Sequence, residues 1–234
     1  MSIIHTISTA MMDFLLPQRC LLCDAEITGS SLCNNCLDYL PLCRSPLCSK
    51  CGRPVKKRKF CGYCDEKTYI DHGRSFMVFV PPVDKIIHLF KYRKKTSLSK
   101  LLGRAMANLV KADHYMKKAD MIVPVPLFWW KYLKRGYNQA ALLADVISSE
   151  NNIINIEGLK RTRNTRSQTK LCDNARRKNI FNAFQIRENG IEGKCIILVD
   201  DVMTTGVTIN ECARVLKEAG AKEVYSCVAA ITPS

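Results

Sequence analysis

Two adjacent carboxylates followed by a run of hydroxyl groups are the residues of this sequence that most directly suggest chemistry. Asp200 and Asp201 end an apolar run that starts at Cys195, and the segment TTGVT follows at 204–208. Successive side chains of a strand point to opposite faces, so the two carboxylates are splayed and can hold neighbouring hydroxyls of a small molecule or waters around Mg²⁺. A turn of threonines and glycine at the start of a helix offers donors to a phosphate. A diol site beside a phosphate site predicts a ribose 5-phosphate ligand.

The stretch ILVDDVMTTGVTI at 197–209 resembles the 5-phosphoribosyl-1-pyrophosphate (PRPP) binding loop of the type I phosphoribosyltransferases. The alternative, an ordinary strand-to-helix turn with a polar cap, does not call for paired acids. The resemblance implies that the acids hold the ribose hydroxyls, that the turn holds the 5-phosphate and that Mg²⁺ accompanies PRPP. It also implies that VPVPL at 123–127 offers backbone amides to the pyrophosphate. The predicted PRPP-binding residues are Asp200, Asp201, Val202, Met203, Thr204, Thr205, Gly206, Val207, Thr208, Pro124, Val125 and Pro126.

A basic segment at 160–178, KRTRNTRSQTKLCDNARRK, supplies charge that suits phosphoribosyl transfer. Breaking the anomeric bond expels pyrophosphate, so Mg²⁺ and basic side chains must absorb the developing charge while a closing loop excludes water. The segment resembles the mobile loop that closes over PRPP in the amidophosphoribosyltransferase branch of the family. The predicted catalytic residues are Asp200, Asp201, Arg163 and Arg166.

Eight of the thirteen cysteines form a duplicated pattern with the spacing of metal ligands. Residues 20–36 and 48–64 both read C-x2-C-x9-C-x2-C. Four thiolates in two CxxC knuckles suit tetrahedral Zn²⁺ and leave no open coordination position, which predicts structural zinc. Two ions paired by repeat are favoured. The predicted ligands are Cys20, Cys23, Cys33, Cys36, Cys48, Cys51, Cys61 and Cys64.

Other interpretations of the cysteines stay open on the sequence. One occupied site, iron–sulfur chemistry, or an interleaved site joining Cys20 and Cys23 to the last pair all fit the spacing. A redox CxxC normally occurs once at a helix start rather than four times. A disulfide lattice suits a secreted protein, whereas the first 18 residues lack the basic region of a signal peptide.

The composition indicates a chain that can bury a core and that favours phosphate-rich partners. It has 234 residues, 47% of them hydrophobic, and a formal net charge of +15. Such a charge favours nucleic acid, nucleotides or an anionic membrane surface. No run of about 18 apolar residues is present, so we expect no membrane span and a cytoplasmic location.

The remaining pattern predicts the elements that position these residues. Strands are predicted at 74–81, 119–126, 153–159, 181–186, 195–200 and 223–231. Helical segments are predicted at 84–118, with an interruption near KYRKKTS at 91–97, and at 138–150 and 209–220. Strands alternating with helices predict an α/β fold, with a mostly parallel sheet flanked by helices and binding sites beyond the carboxyl ends of the strands. The predicted domains are an amphipathic helix at 1–19, a small double zinc ribbon at 20–70 and a phosphoribosyltransferase-like domain at 71–234.

The order of these segments resembles one family, the ComF competence proteins. The double ribbon is followed by LFKYRKK at 89–95, VPVPLFWWKYLKRGYNQAALLA at 123–144, RTRNTRSQTKL at 161–171 and the acidic loop. FWW at 128–130 departs from the more basic pattern of many relatives. The resemblance implies a role in natural transformation, handling incoming single-stranded DNA, with a helicase or recombination factor as a reasonable protein partner. The alternative is an active phosphoribosyltransferase whose acceptor the sequence does not name.

Basic clusters beside aromatic residues separately favour a nucleic-acid partner. Trp129, Trp130 and Tyr132 lie beside the basic cluster at 131–135, and basic grooves with stacking aromatics suit single strands, although tryptophans pack cores equally well. The run RPVKKRK at 53–59 is either a solvated loop or a phosphate-backbone contact. The predicted DNA-binding residues are Lys56, Lys57, Arg58, Lys59, Lys91, Arg93, Lys94, Lys95, Lys134, Arg135, Arg176 and Arg177.

Overall fold

The computed structural model describes residues 18–56, 60–163 and 180–233. Several predictions fall outside these ranges: the helix expected at 1–19 for its first 17 residues, and the site residues Lys57, Arg58, Lys59, Arg166, Arg176 and Arg177. The chain forms two compact units, Met1–Leu40 and Pro41–Ser234. Among the described residues, no helix is both long and apolar enough to cross a membrane.

The first unit is built from short elements around four cysteines. Strands β1 (Gln18–Arg19) and β2 (Glu26–Ile27) pair antiparallel, and helix α1 spans Asn34–Asp38. Cys33 caps α1, since its Sγ accepts a hydrogen bond from the Cys36 N–H at 3.4 Å. Elements of two to five residues bury little apolar surface, so a unit of this size depends on a metal for stability.

The second unit contains a five-stranded parallel sheet in the order β3–β9–β8–β4–β5. The strands are β3 (His72–Val78), β4 (Met121–Pro124), β5 (Ile154–Asn155), β8 (Cys195–Met203) and β9 (Glu223–Ile231). A separate antiparallel hairpin pairs β6 (Leu159–Arg161) with β7 (Phe184–Ile186). The predicted α/β class with a parallel sheet is confirmed.

Helices cover the sheet and bury the apolar side chains of its central strands. They are α2 (Val83–Tyr92), α3 (Leu98–Ala112), α4 (Trp129–Arg135), α5 (Gln139–Asn151) and α6 (Val207–Glu218), with a 3₁₀ turn at Met116–Lys118. In β8, Ile196 and Leu198 share a core with Cys212 and Leu216 of α6. Ile197 and Val199 point to the opposite face and are also fully buried. Burial on both faces explains the continuous apolar run of this strand.

The predicted helical stretch at 84–118 is two helices, interrupted where the sequence reads KYRKKTS. The buried residues of α2 are Val83, Ile86, Ile87 and Phe90, a spacing that places them on one helical face. Asn138 caps α5 as predicted, because its side chain accepts from the Ala140 N–H at 3.1 Å. Helix α4 was not among the predicted elements.

The second cysteine cluster is part of the core of the second unit. Cys48, Cys51 and Cys61 are buried in the same cluster as Ile196 and Leu198 of β8. The knuckle Cys51–Gly52 lies directly on β3, since a Cβ added to Gly52 would lie 2.6 Å from the Gly73 carbonyl oxygen. This ribbon is therefore packed against the sheet through its own metal-binding knuckle.

Candidate functional site

A cleft opens at the carboxyl ends of β4 and β8, where a parallel sheet is expected to bind its ligands. It has about 160 Å³ of accessible space and contains Asp200 and Asp201, with Val125 and Pro126 opposite. Four basic side chains also line it: Lys91, Lys131, Arg135 and Arg161. The excess of cations over the two carboxylates makes this cleft a site for an anion with several charges.

The two acids differ in environment, as their alternation along β8 predicts. Asp201 is buried and its Oδ1 lies 2.8 Å from Nζ of Lys91. Asp200 is half-buried, and one of its oxygens accepts from the Asp201 N–H at 2.8 Å. Burial, with the nearby Asp201 charge, raises the pKa of Asp200 to about 7, although Lys91 opposes the shift. The carboxylate facing the cleft therefore titrates near neutral pH.

Crowding of positive charge also shifts a cation of the cleft. Burial lowers the pKa of Lys131 to about 8, assisted by the charges of Arg161, Arg135 and Lys91. An anionic ligand would relieve that repulsion and return the Lys131 pKa towards its ordinary value. Repulsion among the cations that line this cleft favours an anionic partner.

The motif GYNQ at 136–139 explains how the segment after β4 is held in place. Asn138 donates from Nδ2 to the Val125 carbonyl at 3.1 Å while it caps α5. The Tyr137 hydroxyl donates to the Phe90 carbonyl at the end of α2. Gln139 accepts from Arg135 at 2.9 Å and lines the cleft beside Asn138.

The predicted phosphate turn follows β8 and leads into α6. Gly206 is the N-cap residue with φ +82°, a left-handed conformation that glycine adopts without steric cost. Thr205 is 9% exposed, and its buried Oγ1 has no partner among the described residues. The Thr204 carbonyl accepts from the Thr232 hydroxyl at 3.0 Å and from Arg53. The turn is thus fixed from the side that faces the second ribbon.

The predicted PRPP-binding residues fall into groups around the turn. Those lining the cleft are Asp200, Asp201, Val202, Thr208, Val125 and Pro126. Met203, Thr205, Gly206 and Val207 line a cavity of about 400 Å³ beside the second ribbon. Pro124 lines a third cavity, and Thr204 lines none of these three.

The third cavity adjoins the cleft and has an aromatic wall. It measures about 450 Å³ and includes Trp129, Tyr132 and Leu133, and it shares Asn138 and Arg161 with the cleft. Trp129 and Trp130 are each 58% exposed, and their ring centroids lie 5.4 Å apart. Of the two interpretations of these tryptophans, core packing is wrong.

The other predicted residues are distributed over several surfaces. Lys91 and Arg135, predicted to contact DNA, line the cleft. The remaining described members of that set are exposed: Lys56, Arg93, Lys94, Lys95 and Lys134. Arg163 is exposed, does not line the cleft and donates from Nη1 to the Phe181 carbonyl at 3.2 Å.

Three functional candidates were missed by sequence reasoning: Lys131, Gln139 and Arg161. Lys131 and Arg161 belong to basic clusters that were noted only as charge, and Gln139 to a motif noted only for its family likeness. Arg53, in contrast, was assigned to the basic hairpin but is fully buried. Both interpretations of it, a solvated charge or a DNA contact, are wrong, because it bonds to carbonyls within the protein.

Two cysteine tetrads form the metal centres. In each, all four Sγ atoms lie within 4.8 Å of one another. The Cys23–Cys33 and Cys51–Cys61 sulfurs are 3.6 and 3.7 Å apart, close to the edge of a tetrahedron with Zn–S bonds of about 2.3 Å. The thiols therefore fit two structural zinc ions, and pairing by repeat, rather than interleaved, is confirmed.

Comparison with known proteins agrees with both parts of the chain. Residues 11–65 match a double zinc ribbon domain and residues 94–234 a phosphoribosyl transferase domain. Competence protein F of Haemophilus influenzae is 30% identical over 82% of this chain and 93% of its own length. DNA utilization protein YhgH of Escherichia coli K12 is 30% identical over 85% and 96%, and competence protein ComFC of Bacillus subtilis 26% over 86% and 89%. The chain therefore belongs to the ComF family of competence proteins and joins a double zinc ribbon to a phosphoribosyltransferase domain.

Proposed function

We propose that the cleft binds PRPP with Mg²⁺, in a protein that handles incoming single-stranded DNA during natural transformation. The observation that carries the PRPP assignment is the pairing of two splayed acids, near the carboxyl end of β8 and within the strand, with four cations in one cleft. A sugar diol and a pyrophosphate on one small molecule match these two kinds of group. The DNA assignment is supported by the competence and DNA-utilization names of the relatives.

In this proposal each part of PRPP meets a different element. Asp200 and Asp201 hold the ribose hydroxyls, and the turn at 204–208 holds the 5-phosphate with N–H and hydroxyl groups. The amide of Gln139 and the basic side chains of the cleft hold the pyrophosphate. Mg²⁺ neutralises pyrophosphate charge when it is bound. Nζ of Lys91 contacts Asp201 in the ligand-free protein and also contacts PRPP when it is bound. The lysine charge is therefore paired with an anion in both states.

The exposed aromatic surface supports single-strand binding beside the cleft. Trp129, Trp130 and Tyr132 offer faces for base stacking, and Lys134 adds positive charge on the same helix. Stacking contributes about 1–3 kcal/mol per base and tolerates any sequence. The cytoplasm suits this role, because reduced thiolates for two zinc ions persist in a reducing compartment.

The cavity of about 450 Å³ favours a second candidate function, phosphoribosyl transfer to an acceptor. It shares Asn138 and Arg161 with the cleft, so an acceptor there would lie next to the bound sugar. Its aromatic wall suits a planar acceptor. Release of pyrophosphate from PRPP in the presence of candidate nucleobases, amines or DNA measures this activity, and no release leaves ligand binding alone.

Calorimetric titration of the zinc-loaded protein with PRPP and Mg²⁺ tests the main proposal. We expect saturable binding that Asp200→Asn combined with Asp201→Asn weakens at least tenfold, while the exposed control Glu188→Gln keeps wild-type affinity. Absence of binding by the wild-type protein would refute the PRPP assignment.

Fluorescence anisotropy with single-stranded DNA, alone and with PRPP, tests whether the protein binds single-stranded DNA. Binding should weaken steeply with salt, and salt-insensitive or absent binding removes the DNA role.

A further inference from the structure

Arg53 of the second ribbon is a fully buried cation whose hydrogen bonds all reach towards the end of the sheet. Its Nη2 donates to the Thr204 carbonyl. Its Nη1 donates to the Thr232 carbonyl, to the Thr232 hydroxyl at 2.7 Å and to the Pro233 carbonyl at 3.2 Å. The guanidinium also lies 4.5 Å from the ring centroid of Tyr63. Arg53 therefore joins residues that are distant in sequence at one point beneath the phosphate turn.

The metal-binding knuckle sets the position of Arg53. The Cys48 N–H donates to the Arg53 carbonyl at 2.7 Å, and the Gly52 N–H donates to the Cys48 carbonyl at 3.0 Å. Gly52 has φ +72° and no room for a Cβ against Gly73, so only glycine fits between the cysteine and the arginine. Since Cys48 and Cys51 are ligands of the second tetrad, loss of its metal would release the backbone that carries Arg53.

The Thr204 carbonyl transmits this position to the phosphate turn. Arg53 and the Thr232 hydroxyl both donate to it, and the Thr232 N–H donates to the Met203 carbonyl at 3.0 Å. A trans peptide is planar with its C=O and N–H antiparallel. Holding the Thr204 carbonyl towards the ribbon therefore directs the Thr205 N–H to the opposite side of the turn. Donors fixed before the ligand arrives lose less entropy on binding.

We propose that Arg53 is a positioning residue through which zinc in the second ribbon presets the phosphate turn for PRPP. Zinc loading of Cys48, Cys51, Cys61 and Cys64 and affinity for the 5-phosphate are then coupled. This inference rests on the proposed PRPP site. A buried guanidinium is an expensive group unless its donors are used. Here both Nη atoms donate to oxygens of Thr204, Thr232 and Pro233, while Nε has no hydrogen-bond partner among the described residues.

The test compares Arg53→Met and Arg53→Lys with the matched control Lys50→Met. Lys50 belongs to the same ribbon and donates to the Thr68 carbonyl at 3.1 Å rather than to Thr204 or Thr232. We expect Arg53→Met to keep two zinc ions per chain and to bind PRPP–Mg²⁺ at least tenfold more weakly than wild type. Arg53→Lys should recover part of this loss of affinity. The affinity of Lys50→Met should stay within about twofold of wild type. Hydrogen exchange of the ligand-free protein should be faster at 203–209 in Arg53→Met alone.

The outcomes separate this inference from the PRPP site on which it rests. If wild type binds no PRPP, the proposed function fails, and exchange at 203–209 still decides whether Arg53 orders the turn. If wild type binds and Arg53→Met matches it in both affinity and exchange, the inference is overturned. Should Arg53→Met lose zinc, Arg53→Lys takes its place, because a single ammonium cannot contact Thr204 and Thr232 together as Nη2 and Nη1 of Arg53 do. PRPP affinity in Arg53→Lys equal to that of wild type would then overturn the inference.

Discussion

The affinity of the cleft for PRPP should depend on pH with a maximum between the pKa values of Asp200 and Lys131. The pKa of Asp200 is raised to about 7 by burial and by Asp201, and that of Lys131 is lowered to about 8 by burial and its basic neighbours. Ribose hydroxyls donate to an ionised carboxylate, and pyrophosphate requires a protonated lysine. The fraction of molecules with Asp200 ionised and Lys131 protonated at the same time is largest near pH 7.5.

The magnitude follows from the two titrations. Asp200 is about 90% ionised at pH 8 and about 10% at pH 6, so affinity should fall roughly tenfold over that range. Lys131 loses its proton between about pH 7 and pH 9, and the affinity loss there should be smaller because Lys91, Arg135 and Arg161 keep their charge. Bound phosphate raises the Lys131 pKa, so binding at pH 8 should take up protons.

Isothermal titration calorimetry from pH 6 to pH 9, in buffers of different ionisation enthalpy, measures both affinity and proton uptake. Asp200→Asn serves as the reference, because it retains the titration of PRPP itself but not that of the carboxylate. The acid limb should flatten in Asp200→Asn, and the alkaline limb should flatten in Lys131→Gln. An acid limb of equal slope in wild type and Asp200→Asn would refute the assignment of the titrating group.

Three further predictions concern the ligand-free protein and its metal centres. Asp200→Asn should raise the melting temperature at pH 8 by roughly 4–8 °C, because it removes a carboxylate whose ionisation the fold disfavours by about 2 kcal/mol or more. This increase in melting temperature should shrink as the pH falls and the wild-type carboxylate becomes protonated. Calorimetry that shows no increase at pH 8 would contradict the prediction. Asn138→Ala should lower the free energy of unfolding in urea by about 1–2 kcal/mol, since it removes both the cap of α5 and the hydrogen bond to the Val125 carbonyl. The same substitution should weaken PRPP binding. Lower stability with unchanged PRPP affinity would show that binding does not require Asn138 to hold the segment after β4. Cys61→Ser and Cys33→Ser should each release one zinc ion per chain. Only Cys61→Ser should lower the temperature of the main unfolding transition, because Cys61 belongs to the core of the sheet. Equal decreases in that temperature for the two variants would refute the prediction.

Much of the fold could be predicted because its signals are short in range. The four CxxC knuckles, the alternation of apolar strands and helices, and the Asn138 cap each depend on residues within a few positions of one another. Helix α4 was missed because it is only seven residues long and none of its residues is buried, so no apolar stripe marks it. Short strands such as β5 owe their pairing to β4 rather than to their own sequence.

The candidate site was predictable in its centre and not at its edges. The acids and the turn are contiguous in sequence. Of this segment, Asp200, Asp201, Val202 and Thr208 line the cleft, whereas Thr205, Gly206 and Val207 line the cavity beside the second ribbon. Lys91 was grouped with exposed basic residues, yet its Nζ contacts Asp201, and Arg161 reaches the cleft from a separate hairpin. Charge alone does not distinguish a surface lysine from one that lines a site.

By itself the sequence determined the class of fold, the eight cysteine ligands of the zinc ribbon and the acidic pair with its hydroxyl-rich turn, because each is encoded by neighbouring residues with a fixed geometry. The pairing of the cysteines by repeat was decided by the structure. Only the tertiary structure decided which cations enter the cleft and that Arg53 supports the turn from the ribbon. Those contacts join segments as much as 180 positions apart. Whether a charged side chain is buried and hydrogen-bonded or exposed to solvent depends on how such distant segments pack.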